Sequence, residues 1–283
     1  MTGTSGTGSG YDPDAIFQYL TGQLNASQPP LLAAFEAEGA AAVAKFHPAL
    51  DVSYGPHPRQ RFDFFAAPAP LGTIAYLHAG YWQARDKAQF RFLAPSVTGE
   101  GFNLAVVNYP LCPDVTVAAL TEAVRDAVPA ILSFAGRAQG ATASLVAIGH
   151  SAGAHLAVEL ALSDWTGRGL ARVPIDGVVG LSGVYDLEPL VATPLNDKLR
   201  LDRSAAHAAS PVHRLRGGLP RALFAVGARE TDAFRAQTAG MCAAWQAAGN
   251  DAALRIVDGC DHFSLLRALQ HKDGIFGAVK ALA

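Results

Sequence analysis

Short apolar runs alternate with amphipathic segments along most of the chain, and this alternation limits the folds that it can adopt. Strands that are buried on both faces read as continuous apolar runs, whereas helices repeat apolar residues every three to four positions. The alternation therefore predicts an α/β fold with a mainly parallel central sheet and helices on both faces. Strands are expected at 61–66, 72–77, 103–107, 144–148, 177–181, 222–226 and 254–257.

Segments with helical spacing lie between these strands. One of them contains Pro129, which is expected to kink or shorten the helix. A helix before the first strand and a polar stretch at about 186–215 are both expected to roof a pocket at the carboxyl edge of the sheet. The expected helices carry apolar faces at Leu32, Phe35, Val43 and Phe46, at Val117, Leu120, Val124 and Ile131, and over 152–162, 233–248 and 263–282.

The length of 283 residues suits one domain, expected at 11–283, with a cap-like excursion at about 186–215. Residues 1–10 are rich in Gly, Ser and Thr and are expected to form a flexible tail. Half of the residues are hydrophobic and 16% are charged, but no apolar stretch approaches the roughly 18 residues of a membrane span.

The net charge of −2 comes without any basic run, so we expect a small-molecule substrate and neither a nucleic acid nor a membrane as partner. A homodimer is compatible with the sequence. Three widely separated cysteines suggest no disulfide framework and favour the cytoplasm. The absence of HExxH, GxxxxGK and GxGxxG sequences predicts no metal and no cofactor.

The sequence GHSAG at 149–153 follows an apolar strand and opens a helix. In this context G-x-S-x-G is typical of a nucleophile elbow, a turn so tight that side chains two positions before and after the serine would collide. The helix N-terminus behind the serine favours developing negative charge. Ser151 is therefore predicted to be the nucleophile of a serine hydrolase.

A serine hydroxyl needs a base, and hydrolases of this type place the acid and then the histidine after the serine in the chain. His262 follows the last strand, where the base belongs, whereas His207 and His213 lie in the polar excursion. The loop after the preceding strand offers Glu230 and Asp232. We expect Asp232 to be the acid, because it lies further into the loop and aspartate is the commoner third member.

Glu230 is then expected to be a solvated loop charge, and Asp261, beside the base in sequence, to cap the following helix. The loop 78–82, His-Ala-Gly-Tyr-Trp, follows a strand, as do the oxyanion loops of esterases. Backbone amides of Gly80, Tyr81 and Ala152 are predicted to form the oxyanion hole.

Several longer motifs resemble the kynurenine formamidase (arylformamidase) family of the α/β-hydrolase fold. The similar segments are HAGYW at 78–82, GHSAGAHLA at 149–157, SGVYDLEPL at 182–190, ETDAF at 230–234 and DHF at 261–263. The resemblance covers nearly the whole chain from about Asp51. It departs at Ala79, where the family usually has glycine; alanine would be strained there if its φ were positive.

The resemblance implies hydrolysis of N-formyl-L-kynurenine to L-kynurenine and formate without a cofactor. Small-acyl, aryl-leaving-group chemistry fits an aromatic-walled pocket, for which Tyr81, Trp82 and Tyr185 are candidates. His78 is expected to hold the oxyanion loop by hydrogen bonds at the edge of that pocket. Two alternatives remain: a general carboxylesterase that acts on short-acyl esters, and a non-catalytic protein that keeps the pocket for ligand binding.

Overall fold

Eight strands form one sheet in the computed structural model, which describes residues 10–139, 144–271 and 274–282. The strands are β1 (Ala49–Ser53), β2 (Arg61–Phe65), β3 (Gly72–Leu77), β4 (Phe102–Val107), β5 (Leu145–His150), β6 (Gly177–Leu181), β7 (Arg221–Gly227) and β8 (Ala252–Val257). Their order is β1-β2-β4-β3-β5-β6-β7-β8. The β1–β2 and β2–β4 pairs are antiparallel and all the others are parallel, as predicted for a mainly parallel sheet.

Helices cover both faces of this sheet. They are α1 (Pro13–Tyr19), α2 (Gln28–Phe46), α3 (Ala94–Gly99), α4 (Val117–Arg125), α5 (Ala127–Gln139), α6 (Ala152–Leu162), α7 (Asn196–Leu199), α8 (Arg203–Ala209), α9 (Asp232–Ala247) and α10 (Ile275–Lys280). Strand side chains alternate between the faces. In β3, Ala75 and Leu77 pack in the apolar layer with α4, α5, α6 and α9, whereas Ile74 and Tyr76 pack in the layer with α2, α3 and α10.

All seven predicted strands are present, and the first strand, β1, is an addition that pairs with β2 at the sheet edge. The single helix predicted through Pro129 is two helices, α4 and α5. Pro129 lies in the first turn of α5, where the amide that proline lacks would have no intrahelical partner. The helix predicted at 263–282 is likewise divided into a 3₁₀ helix (Ser264–Gln270) and α10.

The excursion at 186–215 contains α7, α8 and two 3₁₀ helices (Glu188–Ala192 and Pro211–Arg214), and it connects β6 to β7. The tail expected at residues 1–10 falls, apart from Gly10, outside the described residues. Within the ranges that the structure describes, no helix combines the length and the apolarity that a membrane crossing requires.

Candidate active site

The turn at Ser151 joins the end of β5 to the start of α6. Ser151 has φ 56° and ψ −121°, a strained conformation for a residue with a side chain. A Cβ atom at Gly149 would lie 1.9 Å from the carbonyl oxygen of Gly153, and one at Gly153 would lie 2.0 Å from that of Leu77. Glycine is therefore required on both sides of the serine, as the sequence predicted for a nucleophile elbow.

His262 lies in the loop after β8 and is hydrogen-bonded to a carboxylate. Its Nδ1 lies 2.8 Å from Oε2 of Glu230, and both side chains are buried. A carboxylate can only accept, so Nδ1 carries the proton and donates it, which leaves Nε2 as the nitrogen able to accept a proton. This is the arrangement that a histidine base requires.

The prediction that Asp232 contacts the histidine is wrong. Asp232 is the first residue of α9, its side chain is 80% exposed, and its carboxylate pairs with Arg235 one turn along the helix. Glu230, expected to be solvated, instead lies in the turn just after β7 and is buried. The longer glutamate side chain reaches the imidazole from a position closer to the end of the strand.

Two groups hold the second oxygen of Glu230. Ser182 Oγ donates to Oε1 over 2.5 Å, and the amide of Gly227 donates to the same atom over 2.8 Å. Ser182 begins the SGVYDLEPL segment, directly after β6, and has φ 48°. Its role was not predicted, although a serine at the carboxyl end of the strand beside the acid loop is a signal for it.

A residue of the nucleophile elbow also contacts the backbone of His262. Nε2 of His150, the residue before Ser151, lies 2.8 Å from the carbonyl oxygen of His262 and donates to it, since a carbonyl can only accept. Burial, followed by the charge of His262, holds the pKa of His150 well below its usual value, so His150 is neutral. The elbow thus positions the base as well as the serine.

Asp261 caps the turn that follows it, as predicted. Its Oδ1 accepts from the amides of Phe263 and Ser264 at 3.1 and 2.8 Å, while Oδ2 accepts from Asn25 Nδ2 at 2.8 Å. The last contact ties the base loop to the N-terminal part of the chain.

The oxyanion loop, residues 78–82, has three successive residues with positive φ, at Gly80 (128°), Tyr81 (50°) and Trp82 (57°). A Cβ atom at Gly80 would lie 2.2 Å from the carbonyl oxygen of Ala84, so glycine is required there. Within the described residues, the amides of Gly80, Tyr81 and Ala152 donate to no protein acceptor. Amides without protein acceptors beside a serine suit an oxyanion.

Ala79, the departure from the family pattern, is not among the residues with positive φ. Its side chain is buried in the apolar layer with Tyr76 and Phe90. The alanine is thus accommodated without strain. The neighbouring His78 holds the loop as expected, because its Nδ1 donates to the carbonyl oxygen of Ala79 over 2.7 Å.

A cavity of about 300 Å³ opens beside Ser151 and His262. Its aromatic wall consists of Tyr19, Tyr81 and Phe263. Three predicted pocket residues do not border it: His78, Trp82 and Tyr185 are all fully buried. Their rings pack against other rings, at Tyr109, His155 and Phe224 respectively.

The other walls come from the excursion, as predicted, and from residues 11–28, which lie before and at the start of α2, the helix that was expected to roof the pocket. Tyr19, Leu20, Gln23, Leu24 and Gln28 contribute from the N-terminal segment (residues 11–28), and Leu195 and Lys198 contribute from the excursion. Hydrogen bonds fix both: Thr231 Oγ1 donates to the carbonyl oxygen of Gln18 over 2.7 Å, and Gln83 Nε2 donates to that of Leu195 over 3.0 Å. The roofing role of the excursion was predicted, but none of these wall residues was.

Two other features lie apart from this cavity. A larger cavity of about 420 Å³ is lined partly by Glu159 and Arg214 but by none of the serine, histidine or oxyanion residues, so the smaller cavity is the candidate active site. Within the described residues, one group of side chains has metal-ligating atoms within 4.8 Å of one another: Glu188, His207 and His213. None of these three borders the smaller cavity.

The sequence of the chain is similar to that of known hydrolases. Residues 74–266 match the sequence model of the alpha/beta hydrolase fold family. The chain is 28% identical to the kynurenine formamidase of Danio rerio, over 78% of this chain and 76% of that protein, and 28% identical to the kynurenine formamidase of Salmo salar, over 79% and 78%.

Solved structures agree in fold. A proposed thioesterase from Silicibacter sp. TM1040 superimposes with a TM-score of 0.81 at 29% identity, over 94% of this chain and 97% of that one. Esterase B from Lactobacillus rhamnosis superimposes with a TM-score of 0.69 at 19% identity, over 91% and 95%. With residues 74–266 matched and kynurenine formamidases among its relatives, the chain belongs to the alpha/beta hydrolase fold family and is a hydrolase.

Proposed function

We propose that Ser151, His262 and Glu230 form a catalytic triad. The observation that carries this proposal is the hydrogen bond between His262 Nδ1 and Glu230 Oε2, together with a strained serine that lines the same cavity as His262. A buried carboxylate that fixes the imidazole and stabilises its protonated form is the third element that serine activation needs. A protein that only binds a ligand has no need of a serine, a histidine and a buried carboxylate together, which argues against a non-catalytic role.

We infer that the substrate is a small-acyl aryl amide, with N-formyl-L-kynurenine as the best candidate. Relatives named kynurenine formamidase align over more than three quarters of the chain and support this choice. The cavity of about 300 Å³ lies at the lower end of the range for small-molecule sites, and its aromatic wall suits an aniline ring.

In the proposed reaction, Ser151 Oγ attacks the formyl carbon while His262 Nε2 takes the hydroxyl proton. The carbonyl oxygen becomes an oxyanion held by the amides of Gly80, Tyr81 and Ala152. The C–N bond then breaks as His262 returns the proton to the aniline nitrogen, and kynurenine leaves. Water next attacks the formyl-serine and gives a proton to His262, which reprotonates Ser151 as formate departs.

A general carboxylesterase is the second candidate, because an esterase is among the structures of the same fold. The two functions share a triad and differ in the bond that is cleaved. Activated esters such as p-nitrophenyl acetate test only the triad, because nitrophenolate is a far better leaving group than the amine of an anilide, so both enzymes would cleave them.

The decisive measurement is kcat/KM for N-formylkynurenine and for a matched pair, formanilide and acetanilide. A close-fitting acyl pocket should disfavour the added methyl group by about 10- to 200-fold. Ser151→Ala is the control for contaminating activity. Ready cleavage of butyrate esters without any cleavage of formyl anilides would replace the formamidase proposal with the esterase.

A further inference from the structure

The candidate active site is lined by two cationic side chains, Arg85 and Lys198. Arg85 follows the oxyanion loop, and Lys198 lies on α7 in the excursion above it. Of the described residues that border this cavity, none is an aspartate or a glutamate. The cavity therefore carries two formal positive charges that its own lining does not neutralise.

The guanidinium of Arg85 is partly buried, and its charge attracts a ligand more strongly than it would in bulk water. It stacks on the ring of Phe263, with 4.6 Å from its central carbon to the ring centroid. Within the part of the chain that the structure describes, its N–H groups form no hydrogen bond and no ion pair. Burial lowers the pKa of Arg85, yet arginine keeps its charge in proteins.

Lys198 is exposed, and its ammonium likewise has no ion-pair partner among the described residues. The helix that carries it is anchored by the hydrogen bond from Gln83, the residue after the oxyanion loop, to the carbonyl oxygen of Leu195, just before α7. The two cations are therefore attached to elements that are bonded to each other.

The position of Arg85 indicates which part of a substrate it would meet. The ring of Phe263 packs edge-on against that of His262, with 5.3 Å between the centroids, and the histidine must reach the leaving group in order to protonate it. A cation stacked on Phe263 consequently lies on the leaving-group side of the site. The acyl side is bounded by the oxyanion loop.

We propose that Arg85 and Lys198 form a carboxylate subsite, which makes the hydrolase selective for aryl substrates whose leaving group carries a carboxylate. A guanidinium presents paired N–H donors that match a carboxylate, while a mobile ammonium adds a point charge. This inference rests on the proposed hydrolytic site, and it would give N-formylkynurenine, whose carboxylate is in the leaving group, an advantage over neutral aryl esters.

The test uses a pair of esters that differ only by this charge, 3-acetoxybenzoate and phenyl acetate. The measured quantity is kcat/KM for 3-acetoxybenzoate divided by kcat/KM for phenyl acetate. It is determined in wild type, Arg85→Gln, Arg85→Lys and Lys198→Gln. Arg203→Gln is the matched control, because Arg203 is an exposed cation of the same excursion that does not border the cavity. We expect the ratio to fall at least tenfold in Arg85→Gln and less in Arg85→Lys.

Lys198→Gln should lower the ratio by a few-fold at low salt and by little at about 0.5 M salt, because exposed charges are screened. Arg203→Gln should leave the ratio within twofold. Ratios within twofold of wild type in both Arg85→Gln and Lys198→Gln would overturn the proposal. Lys198→Gln, at an exposed position, keeps the test decisive if Arg85→Gln fails to fold.

A binding measurement separates the subsite from the reaction. The affinities of Ser151→Ala for L-kynurenine and for 2-aminoacetophenone, which lacks the amino-acid part, are compared by calorimetry with those of Ser151→Ala/Arg85→Gln. Selective loss of kynurenine binding supports the subsite even if N-formylkynurenine is not hydrolysed, in which case only the formamidase proposal fails. If N-formylkynurenine is hydrolysed but the kcat/KM ratios and the affinities do not change in the variants, the carboxylate subsite is ruled out and the formamidase proposal stands.

Discussion

Glu230 and His262 are 32 residues apart in the chain and are joined by one hydrogen bond of 2.8 Å between Oε2 and Nδ1. The carboxylate is fixed by Ser182 and Gly227, and the carbonyl of the histidine is fixed by His150. Three strand ends, those of β5, β6 and β7, therefore contribute to the orientation of one imidazole. Such preorganisation reduces the reorganisation that proton transfer would otherwise require.

Replacing Ser151 with alanine should abolish hydrolysis and leave the fold intact. The change removes one oxygen atom from the lining of the cavity, and loss of a triad member typically lowers kcat by 10⁴ or more. Steady-state kinetics with p-nitrophenyl acetate and thermal unfolding measure the two effects. More than about a tenth of wild-type kcat in a clean preparation would show that Ser151 is not the nucleophile.

Glu230→Gln should reduce kcat by roughly 10⁴, the size of the equivalent change in a serine protease, because an amide no longer fixes the correct imidazole tautomer or stabilises its protonated form. Asp232→Asn is the matched control: its exposed carboxylate pairs with Arg235 on the same helix and does not contact His262, so kcat should stay within about twofold. Steady-state kinetics of both variants show which of the two carboxylates is the acid of the triad. The reverse ranking would restore Asp232 as the acid.

Gly80→Ala should damage the oxyanion loop, since the new methyl group would meet the carbonyl oxygen of Ala84 at φ 128°. We expect kcat to fall by about 10²- to 10³-fold, which is the usual cost of a lost oxyanion donor. Ala79→Gly is the control and should change kcat by less than threefold. An Ala79→Gly variant that gains activity strongly would show that alanine distorts the loop after all.

Stability should decrease as the pH falls from about 6.5. Burial lowers the pKa of His78 from 6.5 to about 4, so this imidazole is neutral when folded and takes up a proton on unfolding. The unfolded chain then binds more protons, and His78 alone should cost roughly 2 kcal/mol of unfolding free energy between pH 7 and pH 5. The pKa values of His150 and His155 are also lowered by burial and act in the same direction.

Urea unfolding at pH 7, 6 and 5 measures this dependence. The carboxylates whose pKa values are lowered titrate below this range, so histidines dominate it. His78→Asn should be less stable than wild type at pH 7 but should lose less on acidification. A wild-type stability that stays flat from pH 7 to pH 5 would contradict the assigned neutral state of His78.

Local patterns were sufficient to predict much of this molecule. Continuous apolar runs located seven strands within about two residues, and the G-x-S-x-G turn located Ser151, because both depend on neighbours in the sequence. Asp261 was identified as a cap for the same reason. The need for glycine at position 80, rather than at 79, follows from the carbonyl oxygen of Ala84, which a Cβ atom at position 80 would meet; the sequence pattern could not show this contact.

The remaining features depend on contacts between distant segments. Asp232 and Glu230 are two residues apart, and which of them meets His262 depends on where α9 begins. The aromatic residues Trp82 and Tyr185 were expected in the pocket because rings suit ring-shaped ligands, yet these rings fill the apolar core. Composition cannot distinguish these two uses of an aromatic side chain.

The N-terminal segment borders the cavity, although it lies outside the part of the chain that matches the family. The family match, residues 74–266, contains Ser151, Glu230 and His262 but omits residues 11–28, which form one wall of the cavity and bond to the acid loop at Thr231 and the base loop at Asp261. One wall of the cavity is thus encoded in a stretch of sequence separate from the one that contains Ser151, Glu230 and His262. Exchanging the N-terminal stretch between homologues would therefore reshape the set of accepted substrates while leaving the bond-breaking groups unaltered.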